Sequence, residues 1–153
     1  MKGSSLCVYI LNCCYNRPYD NQELERIHLE SEIILMLLQK AEEDAYDIIG
    51  SDIISIEIGK IKDREKRLKV KTLYEIASLH IDLTDDTKNR ALQLQSISNI
   101  RLYDSLHIAS AEKAMADIMF TTDDRLEKAC EKLDLNVRVI NPVKWFLEVS
   151  NNE

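Results

Sequence analysis

Glycine and proline are scarce in this chain of 153 residues, with three of the first and two of the second. That scarcity excludes a collagen-like or low-complexity protein and leaves regular elements joined by short connections. Cysteine is few in number and unpaired in pattern: of Cys7, Cys13, Cys14 and Cys130, no two have the Cys-x-x-Cys spacing of a zinc site or redox motif. Met1 to Leu11 carries no secretory signal, and no apolar run is long enough to span a bilayer. The expectation is therefore a protein of the reducing cytoplasm, with free thiols and no membrane contact. A Gly-rich phosphate loop is missing too. Asn12-Cys13-Cys14 follows the first apolar run, which disfavours nucleotide-cofactor chemistry. Positive charge is in deficit, 20 Lys and Arg against 27 Asp and Glu for a net charge of −7, which argues against a general electrostatic grip on nucleic acid. Carboxylates that collect a divalent cation, and so create a local site for phosphate oxygens, are not excluded.

What is present is an ordinary globular composition, 45% hydrophobic and 31% charged. A chain of this length buries roughly 68–70% of its unfolded surface and needs no staple for a core. One domain is expected over residues 1–149, with a short tail at 150–153. Cys7 to Leu11 reads as a first buried strand, followed by a turn-rich loop from Asn16 to Asn21. Leu24, Ile27, Ile34, Leu38 and Ala41 form one stripe of a helix that should end near Asp44. Tyr46 to Gly50 is a second strand, after which Ser51 or Asp52 caps a helix carrying Ile53, Ile54, Ile58 and Ile61, with Glu57 among them. A further helical stripe runs within Arg64 to Ser78, beside a basic run from Lys60 to Lys71 that reads as a solvated face. His80 to Leu83 is a third strand, and Thr84-Asp85-Asp86 starts a helix reaching Ile97.

The most informative stretch runs from Tyr103 to Asp124. Asp104 stands where a helix should start, and small residues at Ala109, Ser110, Ala111 and Ala114 suit a helix packed inside the molecule. Ile118, Met119 and Phe120 then form the apolar run of a strand buried on both faces, closed by Thr121-Thr122-Asp123. Leu126, Ala129 and Leu133 mark a helix, Val137 to Ile140 a last strand, and Asn141-Pro142 the start of a terminal helix. Strands alternating with helices predict an α/β fold with a parallel sheet, helices on both faces and a site at the carboxyl ends of the strands.

These segments together resemble the PIN domains, in particular the small ribonuclease toxins of VapC type. The carriers are Tyr9 to Asp20, Ser51 to Glu57, Asp104 to Glu112, Ala116 to Leu126 and Val137 to Pro142. The resemblance implies a three-layer α/β/α fold with a short parallel sheet. It also implies a metal-dependent endoribonuclease, the toxin of a toxin and antitoxin pair, that dimerises with itself and has RNA and an antitoxin protein as partners. Four acidic positions of such a site surround Mg²⁺ or Mn²⁺; here they fall on Asn12, Glu57, Asp104 and Asp123. Asn12 departs from the pattern, since an Asp is expected there and an amide brings no charge. The three carboxylates are the implied catalytic residues, and all four positions the implied metal ligands. A divalent ion of this kind takes few carboxylates plus substrate phosphate, polarises a phosphoryl oxygen and supplies a hydroxide at neutral pH.

Each of these residues has a plainer alternative. Asp104 and Asp123 are good helix N-caps, worth about 1 kcal/mol each, and Glu57 can be an exposed helix residue. Arg17 and Asn16 lie in the loop beside the site as candidate substrate-binding residues, yet Arg17 can equally pair with Asp20. Tyr103 can touch RNA bases or be buried, and His107 can assist proton transfer or be a satisfied core histidine. The alternative function is a degenerate PIN-like domain, little active as a nuclease, that binds RNA or protein.

Overall fold

The structure is a computed structural model that describes residues 6–152. Among these residues lie five strands and eight α-helices: β1 (Leu6–Ile10), α1 (Asn12–Asn16), α2 (Glu25–Glu42), β2 (Tyr46–Ser51), α3 (Asp52–Gly59), α4 (Arg64–Tyr74), β3 (Leu79–Ile81), α5 (Asp85–Ser96), α6 (Leu102–Lys113), β4 (Ile118–Phe120), α7 (Asp124–Glu131), β5 (Arg138–Ile140) and α8 (Pro142–Asn151). The sheet is parallel throughout, in the order β3-β2-β1-β4-β5. Val8 stands opposite both Ile48 and Ile118, so β1 is central, and the strand order reverses between β1 and β4. A reversal of this kind opens a crevice beyond the strand carboxyl ends.

Burial explains why the short runs read as strands. Val8, Tyr9, Ile10, Ile118, Met119 and Phe120 are all buried, and each large apolar side chain among them contributes roughly 1.5–3 kcal/mol over its exposed state. Trp145 of α8 closes this core edge-on against Phe120, ring centroids 5.3 Å apart. α6 is internal, as its small residues predict: every residue from Ser105 to Ala111 is buried, and α5 packs along it.

Several boundaries differ from the sequence reading. Asn12–Asn16 is a helix rather than the lead into a loop, because Cys14 N–H and Tyr15 N–H both bond back to the Leu11 carbonyl. The third strand runs Leu79–Ile81, ending earlier than expected where the Leu83 N–H turns to Asp52 Oδ2. Asp104 does not open its helix. The backbone of Arg101 is extended and serves as N-cap without a side-chain bond, which puts Asp104 on the third residue of α6. Ser51, Thr84, Asp123 and Asn141 cap α3, α5, α7 and α8 through their side chains, as their sequence positions suggest. No helix among the described residues is long and apolar enough to cross a membrane.

Candidate active site

Four elements deliver one side chain each to the crevice. Asn12 opens α1 just beyond β1, Glu57 comes from α3 after β2, Asp104 from the first turn of α6, and Asp123 from the connection after β4, where it caps α7. All four line one cleft of about 460 Å³, together with Leu11, Cys13, Arg101, Leu102, Tyr103, Thr121 and Leu126. The register of β1 against β4 sets this meeting, since Leu11 N–H bonds to the Phe120 carbonyl and places Asn12 beside Thr121 and its successors.

The carboxylates are held differently. Asp123 caps α7 and also lines the cleft. Its Oδ1 caps α7 by accepting from Arg125 N at 3.0 Å and Leu126 N at 3.3 Å, which leaves Oδ2 outside the cap, while its own N–H donates to Thr121 Oγ1. Glu57 Oε1 is bonded to His107 Nε2, and the His107 Nδ1 meets the Tyr9 hydroxyl at 2.7 Å. Burial raises the carboxyl of Asp104 above the ordinary carboxylate range; Asp123 and Glu57 push it the same way, against His107 and Arg101. Like charges gathered around a half-buried carboxyl are the electrostatic condition that a cation relieves. The donor set is therefore all oxygen, three carboxylates and an amide, which suits a hard divalent ion.

Not every candidate faces the cleft. Arg17 is committed elsewhere, its Nε on the buried Glu30 at 2.8 Å and its Nη1 on Asp20 at 3.1 Å. The Asn16 amide donates to the Asn12 carbonyl. Neither residue lines the cleft. Asp124, next to Asp123, is gripped by both terminal nitrogens of Arg26 at 2.7 Å and so turned from the site. Two cleft residues escaped sequence reasoning, Cys13 and Arg101, whose exposed guanidinium makes no hydrogen bond among the described residues; Tyr103, considered from sequence as a base contact or a buried residue, lines the cleft half-buried, with Lys60 over its ring at 4.4 Å and bonded to its hydroxyl. Hydrogen bonding with Cys14 and with Thr122 and Thr121 lowers the Cys13 thiol to about 6 against its burial.

Among the described residues, the compact group of three side chains of metal-ligand type lies elsewhere. Asp52, His80 and Asp82 present ligand atoms within 4.8 Å of one another, with His80 Nε2 at 2.8 Å from Asp52 Oδ1 and 3.4 Å from Asp82 Oδ1. Among the described residues no such compact triplet forms from Glu57, Asp104 and Asp123. In this structure the Asp52–His80 pair ties β3 to the start of α3.

The PIN domain profile matches residues 18–132, well over half of the chain. The chain belongs to the PIN domain family. The matched range begins after β1, so Asn12 lies outside it. Twelve solved chains are similar. One is a chain from the crystal structure of VapBC2 of Rickettsia felis bound to a DNA fragment from their promoter, 16% identical, with a TM-score of 0.56, covering 88% of this chain and 98% of that one. At that identity the likeness shows the fold, and the parallel α/β sheet agrees with it. No curated protein matches the chain. PIN domains generally depend on divalent metal, and the described residues include an acidic group of metal-ligand type in Asp52, His80 and Asp82.

Proposed function

We propose that this PIN domain is a metal-dependent endoribonuclease whose site is the cleft between β1 and β4. The observation that carries the reading is the convergence of Asn12, Glu57, Asp104 and Asp123 on that cleft, each with a side-chain oxygen that accepts no hydrogen bond among the described residues. These four residues would hold Mg²⁺ or Mn²⁺. A bound ion of this kind supplies a polarised phosphoryl oxygen and a hydroxide at neutral pH for in-line attack on a phosphodiester. The chain's own part is to orient and to bind. Thr121 fixes the backbone of Asp123, the cap fixes one oxygen of its carboxylate, and Arg101 at the rim is better placed than Arg17 to take a substrate phosphate. Tyr103, with Lys60 on its ring, offers a face for an unpaired base.

The likeness in fold to a VapBC2 chain favours a toxin that pairs with an antitoxin; a cytoplasmic location and pairing with a second copy of itself belong to the same proposal. Asn12 favours the second reading, a weakened nuclease that binds RNA, since an amide contributes no charge to the ion. Incubating the protein with a structured RNA, with Mn²⁺, Mg²⁺ or EDTA, tests the proposal. Metal-dependent cleavage abolished by Asp104→Asn or Glu57→Gln is expected, and faster cleavage at limiting metal by Asn12→Asp. RNA binding without cleavage by wild type and Asn12→Asp alike would leave the binding module.

A further inference from the structure

Glu57 is the one cleft carboxylate whose conformation is set by a side chain behind it. Its carboxylate is bonded to His107, a residue 1% exposed in the middle of the internal helix α6. His107 in turn meets Tyr9, on the central strand, and the Tyr9 hydroxyl lies 2.6 Å from Ser51 Oγ, the cap of α3. Ser51 Oγ accepts from Ile54 N–H. The four side chains thus form one buried line, Ser51, Tyr9, His107 and Glu57, that starts at the cap of α3 and returns to α3 two turns later.

The direction of the hydrogens follows from the donors available. A carboxylate only accepts, so the hydrogen between His107 and Glu57 sits on Nε2. The arrangement that gives every hydrogen an acceptor has Ser51 donating to the Tyr9 oxygen, Tyr9 donating to Nδ1, and Nε2–H donating to Glu57. Tyr9 is buried and suited to this, because burial raises its phenol far above the ordinary range and keeps its hydrogen in place. A glutamate otherwise has three free torsions, and in the cleft it faces Asp104, a like charge that would drive it outward.

We infer that His107 is a positioning residue: through Tyr9 it presents Nε2–H to one oxygen of Glu57, so that the other oxygen is aimed at a divalent cation in the cleft. The inference rests on the reading of Glu57 as a metal ligand. Partners that orient a metal ligand in this way govern affinity, and their loss typically weakens binding about 10–100-fold.

Titration of Mn²⁺ followed by electron paramagnetic resonance, at a temperature where circular dichroism shows every variant folded, reads that affinity without catalysis. His107→Ala is expected to bind Mn²⁺ about 10–100-fold more weakly, and His107→Gln, whose amide nitrogen reaches the place of Nε2, to recover most of the loss. In a Glu57→Ala background the His107→Ala change should add nothing. Equal affinity of wild type and His107→Ala, or a Gln variant as weak as the Ala variant, would overturn the inference and leave His107 as packing. Long-range ¹⁵N spectra of the metal-free protein give an independent answer. Hydrogen on Nε2 with Nδ1 as acceptor is expected, and hydrogen on Nδ1 alone would overturn the inference, because that tautomer cannot donate to Glu57. Absence of Mn²⁺ binding by wild type would instead sink the metal reading, while the spectra still decide whether His107 holds Glu57.

Discussion

Gly50→Ala tests how tightly the end of β2 is built, and with it the platform that carries Ser51 and Glu57. A Cβ at position 50 would lie 2.6 Å from the Tyr74 hydroxyl oxygen and 3.1 Å from its Cζ. That hydroxyl is not free to retreat. It accepts from Ser51 N–H at 2.9 Å, donates to the Ser51 carbonyl at 3.1 Å, and accepts from Ser55 Oγ at 3.2 Å. Displacing it forfeits two backbone bonds at about 1 kcal/mol each and adds overpacking of about 1–3 kcal/mol. Against this, replacing glycine lowers the entropy of the unfolded chain and returns about 0.4–1 kcal/mol. The loss wins, with a net destabilisation of about 2–4 kcal/mol expected in denaturant titration at unchanged slope. In a Tyr74→Phe background the 2.6 Å contact disappears and the ring need give only a few tenths of an ångström. There Gly50→Ala should be close to neutral, so the double-mutant cycle should show coupling of about 2–4 kcal/mol, the whole cost seen in wild type. Equal costs of Gly50→Ala in both backgrounds would refute the reasoning, since the hydroxyl would then not be the obstacle.

Mn²⁺ at a hundredfold excess over its dissociation constant should stabilise the protein by about 2.7 kcal/mol, which in a chain of this size raises the melting temperature by about 5–10 °C; Asp104→Asn should remove most of the rise, and an equal rise in both proteins would place the metal elsewhere. For the metal-free protein the sign of the pH dependence follows from the raised carboxyl of Asp104. A carboxyl raised on folding adds stability below its unfolded value, near 3.9, and that contribution is lost as pH rises through the folded value. Metal-free Asp104→Asn should therefore be more stable than wild type near pH 7, with the advantage gone in acid, and a less stable variant at pH 7 in denaturant titration would contradict this. Met115 is 83% exposed and follows α6 in the left-handed conformation, φ 58°, where Ala116 N–H bonds to the Ala111 carbonyl. Met115→Gly relieves a strain of about 1 kcal/mol and should raise the thermal midpoint; a lowered midpoint would mean that the Met side chain packs against something.

Much of this arrangement was legible wherever local chemistry decided it. The apolar run Ile118 to Phe120, the small residues of α6 and the caps Ser51, Thr84 and Asn141 each carry their reason within a few residues. Strand order was not legible, because parallel strands meet only through crossovers and neither Val8 nor Ile118 names its partner. α1 escaped because five residues show no periodicity, and the start of α6 because Arg101 caps it with backbone alone. Arg17 stood open between a substrate phosphate and Asp20, and the Asp20 pair is present; its second partner was not legible, because nothing local shows that Glu30, on what scans as a helix surface, is fully buried and draws in Arg17, Arg26 and the Asn141 amide. The Tyr9 and His107 pair spans 98 positions. Its one local trace was a tyrosine in a strand buried on both faces, whose hydroxyl had to find a partner.

The central claim, that the cleft between β1 and β4 is the metal centre, is tested most directly by anomalous diffraction from crystals grown with Mn²⁺. The cleft and the Asp52, His80 and Asp82 cluster are separate candidates on the same protein, and the anomalous signal tells them apart. The expected result is a peak in the cleft, coordinated by oxygens of Asp104, Asp123 and Glu57, that vanishes in Asp104→Asn. A peak only beside His80, or none at millimolar Mn²⁺, would contradict it.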